Sequence, residues 1–162
     1  MQVLLDDIDL QILDNLQTNA RMSNADLARV LNMAPSAVLE RVKKLEQKKV
    51  IRQYSTVIDP AALQQKLLAF IFIKSKEGFT CSNETTRRLA EIPEIQEVHH
   101  IAGEDCFLVK IRTTDSASLM ELMRNSLQKI PNILSTKTTI VLETVKENQQ
   151  LVINRAPAET TD

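Results

Sequence analysis

The chain has few of the features that would place it in a membrane or in an oxidising compartment. No apolar run approaches the ~18 residues of a membrane-spanning helix, and the N-terminus, MQVLLDDIDL, lacks the cationic start of an export signal. The two cysteines, Cys81 and Cys106, have no metal-type spacing, and they fit a reducing cytosol better than a disulfide scaffold. The sequence therefore predicts a cytoplasmic protein without a membrane partner.

Residues for metal or redox chemistry are also scarce. His99 and His100 are adjacent, so in a strand they point to opposite faces and cannot chelate one metal together as neighbours. Cys106 follows Glu104 and Asp105, and negative neighbours disfavour a reactive thiolate. We therefore expect no metal, no cofactor and no catalytic residue, with a structural or interface role for the histidines.

The chain as a whole has no excess of positive charge. Lys and Arg number 20 and Asp and Glu number 21, for a formal net charge of −1, so any surface for nucleic acid must be local. Between Ala34 and Tyr54 the sequence contains six cations and two anions. Such an excess can bind phosphate, and the alternative is the solvated face of a charged helix.

Residues 23–49, which overlap this stretch, have the pattern of two short helices. Ser23 is a good N-cap for the first of them, residues 32–34 interrupt it, and Pro35 stands at the expected first position of the next. Three apolar residues of the second helix repeat at i, i+4 and i+7 and therefore face inward: Val38, Val42 and Leu45. With a further helix over 6–18 to complete the core, the pattern predicts a helix-turn-helix.

Residues 50–59, VIRQYSTVID, are rich in strand formers and predict the start of a wing directly after the third helix. Arg52 and Tyr54 would point outward from it. In the major groove the first half of the third helix would lie nearest the bases, and cations further along would contact phosphates. The predicted DNA-binding residues are Ser36, Ala37, Glu40, Arg41, Lys43, Lys44 and Arg52. For Arg41, an internal ion pair is the alternative, since it adjoins the inward Val42.

The second half of the chain alternates strand and helix patterns in the order β-α-β-β-α-β, which is the ferredoxin-like arrangement. The predicted elements are strand 67–75, helix 84–92, strand 95–102, strand 106–112, helix 116–130 and strand 134–145. Asp59-Pro60 marks a boundary. The fold is therefore predicted to be α+β, with a winged helix-turn-helix over 1–58, a linker over 59–66 and a ferredoxin-like domain over 67–162.

The first strand of the second domain, LLAFIFIKS, is apolar on both faces. The two helices of a β-α-β-β-α-β domain cover only one face of its sheet, and the other face is expected to be polar. An exposed second face would leave a large apolar patch in water. We therefore expect a second copy to cover it in a two-fold dimer.

This combination of domains resembles the Lrp/AsnC family of bacterial and archaeal transcription regulators over nearly the whole chain. Three segments carry the resemblance: LDDIDLQILDNLQTNAR, SNADLARVLNMAPSAVLERVKKLEQKKVI and HHIAGEDCFLVKIRTTDSASLMELMRNSLQKIPNILSTKTTIVLETVK. The resemblance implies a regulator that binds double-stranded DNA and dimerises through its C-terminal sheets. It also implies further assembly into tetramers, octamers or hexadecamers, and an amino acid as effector.

The resemblance places the effector at a glycine-containing turn, here Gly103-Glu104-Asp105-Cys106-Phe107. The aspartate comes one place earlier than in the family, and Cys106 stands in its usual position. Glu104 or Asp105 would pair with the ammonium group, and threonines of the last strand would supply hydroxyls. The implied effector-binding residues are Ala102, Gly103, Glu104, Asp105, Thr136 and Thr138. The structural alternative for Gly103 is a hairpin that needs positive φ or close backbone approach.

Two departures from the family concern the third helix. Ala34 occupies the N-cap position where the family prefers Ser, and Lys49 stands where a Gly usually closes the helix.

Two other functions remain open. One is an enzyme similar to siroheme decarboxylases that uses His99 or His100, against which the cation cluster argues. The other is an architectural protein that wraps DNA with little sequence preference.

Overall fold

The computed structural model describes residues 4–76 and 83–153, with only the backbone of Asn83. Cys81 lies outside these residues. They form two compact units: a helical unit made of residues 4–57 and 147–153, and a sheet unit from Ile58 to Lys146. Residues 147–153 group with the helical unit, although the sequence placed them in the second domain. Among the residues that the structure describes, no helix has the length and hydropathy to cross a bilayer.

The helical unit contains the three expected helices: α1 (Asp7–Thr18), α2 (Asn24–Leu31) and α3 (Pro35–Gln47). Each helix contributes its apolar face to one core, in which Ile12, Leu27 and Val38 are fully buried. The carboxylate of Asp6 caps α1 by accepting the N–H of Asp9 at 2.8 Å, and the hydroxyl of Ser23 caps α2. The caps explain why these helices begin where they do.

The two ends of α3 are capped in different ways. Ala34 stands at the N-cap and offers no side-chain acceptor to the first turn. At the other end the N–H of Val50 donates to the carbonyl of Leu45 and the N–H of Lys49 to that of Glu46, each at 2.9 Å. These two bonds form a Schellman motif, whose left-handed position is held by Lys49 with φ of 56°. A residue with a side chain is strained at this φ. Lys49, which stands where the family usually has Gly, therefore lowers the stability of the fold.

Replacing Lys49 with glycine should raise the free energy of unfolding by about 1 kcal/mol, because glycine adopts positive φ without strain. Urea unfolding followed by circular dichroism measures the change. Lys48→Gly is the matched control: Lys48 has φ of −78°, so glycine there relieves no strain and only adds chain entropy. If both variants shift the urea midpoint in the same direction, the left-handed turn is not the source of the strain.

The predicted wing strand is not formed: the described residues 50–59 contain no strand. A strand needs a neighbouring backbone to pair with, and β propensity alone does not supply one. Val57 is 98% exposed and Ile58 is 57% exposed, which agrees with a segment that pairs with no strand among the described residues. A short 3-10 helix, Pro60–Leu63, follows it.

The sheet unit confirms the order β-α-β-β-α-β. Its elements are β1 (Leu67–Ser75), α4 (Asn83–Ala90), β2 (Ile95–His100), β3 (Phe107–Thr113), α5 (Ser116–Asn125) and β4 (Ile133–Ile140). The strands lie in the order β2-β3-β1-β4, and every pair is antiparallel. Strand β4 ends earlier than the predicted Val145, because its last paired residue, Ile140, already lies opposite Ala69 near the start of β1.

The two faces of this sheet differ in their neighbours. On one face Ala69, Ile71 and Ile73 are fully buried, in a core shared with Leu89 of α4 and Leu119 of α5. The alternate side chains Phe70 and Phe72 of β1, with Leu108 of β3, point to the opposite face, which we call the open face. All three are partly exposed. The apolar second face that the sequence predicted is therefore present in the single chain.

Candidate functional site

The exposed side of α3 changes character along the helix. Ser36 and Ala37 in its first turn are small and exposed, and Glu40 follows them. The second half presents Lys43, Lys44 and Lys48, also exposed, with Lys43 only 3.7 Å from Glu40. Small side chains at one end allow close approach to a groove, and cations at the other can contact phosphates. Five of the seven predicted DNA-binding residues lie on this surface of α3: Ser36, Ala37, Glu40, Lys43 and Lys44.

Arg41 has a different environment from the lysines. Its Nη1 lies 2.7 Å from Asp6 Oδ2 and 2.8 Å from Asp9 Oδ1, so the guanidinium joins α3 to the first turn of α1. The backbone N–H of Asp9 and then the Arg41 guanidinium hold the pKa of Asp6 below its usual value. The internal ion pair that the sequence left open is thus formed. A DNA contact by Arg41 stays a prediction.

Tyr54 is half-exposed, but it does not lie on a wing strand as the sequence predicted. Its hydroxyl donates to Glu46 Oε1 of α3 at 2.9 Å, which ties the segment after the helix, including the exposed Arg52, back onto α3. Burial and then the hydrogen bond and charge of Glu46 raise the pKa of Tyr54 to about 12. The pattern of the sequence could not reveal this contact, because it depends on the turn at Lys49 that reverses the chain.

Tyr54 is the only tyrosine of a chain without tryptophan, so phenolate absorbance reports on this contact alone. We expect the phenol to ionise near pH 12 in the folded protein and near its usual value of 10 in urea. Because the folded-state pKa is raised, the stabilisation is present below pH 10 and is lost as the pH rises through about 12.

The variant Glu46→Gln should lower the titration midpoint of the folded protein, and Glu40→Gln, on the same helix but remote from the phenol, should not. Identical titrations of the folded and denatured protein would contradict the contact.

The predicted effector turn, Ala102 to Asp105, connects β2 and β3 and is largely exposed. The structural reason proposed for Gly103 is wrong: its φ is not in the left-handed region, and an added Cβ would meet no atom within 4 Å. Among the described residues, neither a strained turn nor a close approach to another atom requires glycine here.

Thr136 and Thr138 lie on β4 and are partly buried. Thr138 Oγ1 donates to the Met123 sulfur at 3.7 Å, and Thr136 lines a cavity of about 260 Å³ with apolar side chains that include Met123 and Leu127. Strand β1 separates β4 from β3, which carries the turn, so roughly 10 Å lies between them. One chain does not bring the turn and the threonines into a single amino-acid pocket.

The two histidines lie as the strand pattern predicts. His99 Nε2 is 3.1 Å from Glu97 Oε2, and the His100 ring packs against Phe107 with centroids 5.2 Å apart. Cys106 is buried, and its sulfur accepts the N–H of Ser75 at 3.4 Å. Within residues 4–76 and 83–153, no three side chains of the types that bind metals form a group.

Models of two protein families match the chain. The AsnC-type helix-turn-helix domain matches residues 5–46, and the Lrp/AsnC ligand binding domain matches residues 68–151. Among curated relatives, the chain is 37% identical to the HTH-type transcriptional regulator FL11 of Pyrococcus horikoshii, over 94% of this chain and 99% of that protein. It is 35% identical to the leucine-responsive regulatory protein of Escherichia coli, over 92% of each.

Solved structures agree with these matches. A transcriptional regulator of Neisseria meningitidis, solved as a complex with L-Met, superposes with a TM-score of 0.86 at 26% identity, over 93% of this chain and 98% of that one. AsnC of Escherichia coli gives a TM-score of 0.83 at 27% identity, over 91% and 99% of the two chains. The similarity therefore covers both units.

Proposed function

Because the chain belongs to the Lrp/AsnC family of transcription regulators, we propose that α3 binds the major groove of double-stranded DNA and that an amino acid bound by the sheet unit tunes this binding. The role is regulatory and not enzymatic, and it is carried out in the cytoplasm. The observation that carries the proposal is the exposed surface of α3, which has small side chains at its start and cations at its end.

Within this interface the side chains divide by their surroundings. Ser36, Ala37 and Glu40 lie nearest the base edges, and Lys44 and Arg52 contact phosphates. Arg41 is held by two carboxylates at 2.7 and 2.8 Å, so it orients α3 more than it neutralises DNA. The small size of Ser36 and Ala37 lets the helix backbone approach the groove closely.

Lys44→Gln tests the DNA contact. Removing one phosphate contact should weaken binding to the protein's own upstream DNA and to random DNA alike, and reduce the slope of log affinity against log salt by about 1. Lys129→Gln is the control, since Lys129 is an exposed cation of the sheet unit. Binding to upstream DNA that is no tighter than to random DNA and without steep salt dependence would overturn the proposal.

We propose that a second copy of the chain covers the open face, and that the dimers assemble further into tetramers or octamers. Phe70, Phe72 and Leu108 supply its apolar centre. Charged groups surround them: Lys137 lies over the Phe72 ring at 5.6 Å, and Lys110 pairs with Glu97 at 3.1 Å. An apolar centre with a polar rim is the usual anatomy of an interface between proteins.

The effector site is proposed to combine the turn at Gly103 with a surface of another copy. In one chain β1 separates the turn from Thr136 and Thr138, so a small amino acid reaches both sets only where two copies meet. Glu104 or Asp105 then faces the ammonium group. The apolar cavity beside Thr136, lined by Met123 and Leu127, suits an apolar side chain. The relative from Neisseria meningitidis was solved with L-Met, an amino acid of that type.

A thermal-shift screen against the twenty amino acids tests the effector. A ligand at a hundred times its Kd should stabilise the native state by about 2.7 kcal/mol and so raise its Tm. Gly103→Ala should leave the Tm without ligand unchanged or slightly raised, since a Cβ fits there, and reduce the shift that the ligand produces. If no amino acid raises the Tm, or if Gly103→Ala responds like the wild type, the proposed site is wrong.

A further inference from the structure

The segment after the last strand returns to the helical unit. Residues 147–151 fall within the match to the ligand-binding domain, yet two of them, Gln150 and Leu151, bond to Gln17 of α1. The chain therefore passes between the two units twice, once at Val57–Ile58 and again at Lys146–Glu147. The second passage ends in a defined set of hydrogen bonds.

Gln17 of α1 binds both backbone groups of Leu151. Its Oε1 accepts the Leu151 N–H at 2.7 Å, and its Nε2 donates to the Leu151 carbonyl at 3.1 Å. In a β-sheet, a neighbouring strand pairs with the backbone N–H and carbonyl of a residue in the same way, through one acceptor and one donor. The side chain of Leu151 takes no part in these bonds, and the residue is 76% exposed.

Gln150 completes the end of α1. Its Nε2 donates to the carbonyl of Gln17 at 3.1 Å. Gln17 lies in the last turn of a helix, where four carbonyls lack partners within the helix. The last turn of α1 contains no basic residue to offset this. A residue 133 positions away in the sequence thus serves as part of the C-terminal cap of α1.

Asn148 holds Gln150 in the orientation that this cap requires. Asn148 Oδ1 accepts the N–H of Gln150 at 2.9 Å, and Asn148 Nδ2 donates to Gln150 Oε1 at 3.3 Å. With its oxygen held in this way, the Gln150 amide directs its nitrogen at α1. The contact is organised by the segment itself and does not depend on the side chain of Leu151.

We propose that Asn148, Gln150 and Leu151 form a strap that closes the C-terminal end of α1 and positions this helix in the DNA-binding unit. All of its bonds are exposed to water, where a single hydrogen bond contributes little. The strap therefore opens at small cost.

Hydrogen exchange in the full chain tests the strap with a matched pair of variants. Leu151→Pro removes the N–H that Gln17 accepts, and Leu151→Ala keeps it. We expect the amides of the last turn of α1 to exchange about tenfold faster in Leu151→Pro, and at the wild-type rate in Leu151→Ala. Gln17→Leu should match Leu151→Pro, and the double variant should exchange no faster than either single variant, because all three lose the same contact.

DNA binding by the same variants separates positioning from simple capping. Leu151→Pro should bind DNA more weakly than Leu151→Ala with an unchanged salt slope, since no phosphate contact is removed. Equal exchange in the two variants would refute the strap. Faster exchange with unchanged DNA affinity would refute its role in positioning. If the wild type does not bind DNA, the exchange result still decides the strap, and only the proposed function fails.

Discussion

The guanidinium of Arg41 joins α3 to the start of α1 through Asp6 and Asp9, and so orients the exposed surface of α3 that we propose binds DNA. A three-helix unit of this size buries only a small core, so polar contacts at its rim matter for the angle between its helices. Asp6 has a second task as the N-cap of α1. One carboxylate thus sets where α1 begins and also where α3 lies against it.

This constraint determines which cations remain for DNA. An arginine held between two carboxylates is a poor partner for phosphate, so the proposed phosphate contacts pass to Lys44 and Arg52. Two residues after Arg52, Tyr54 binds Glu46 and draws the segment after α3 onto the helix. The turn that permits this contact is strained at Lys49. Helix α3 is therefore held by contacts of different kinds, an ion pair at its middle and a tyrosine hydrogen bond near its C-terminal end.

The sequence predicted most of the fold because apolar periodicity and caps are local signals. The bounds of β1 were predicted to the residue, and those of the first three helices to within one residue. The prediction of a wing strand was wrong because the strand propensity of Val57 and Ile58 does not show whether another strand can pair with them. Strand β4 was predicted too long because the start of β1, which ends its pairing, lies elsewhere in the chain.

The candidate site was predictable to a smaller extent. The cationic face of α3 follows from helical spacing, whereas the contact between Gln17 and Leu151 joins residues 134 positions apart and leaves no periodic trace. Gly103 shows the opposite case. Its position was recognised from the family pattern, but the local reason offered for it is absent from the structure. Its proposed role at a contact between copies accounts for a glycine that the single chain does not need.

The central claim is that two copies, paired through the open face around Phe70, Phe72 and Leu108, present two α3 helices to DNA at once. Affinity measured against the spacing of two half-sites tests it most directly. We expect maxima where the half-sites lie whole helical turns apart, about 10.5 base pairs or its multiples, and a marked loss at half-turn spacings. Affinity that does not vary with spacing would contradict it.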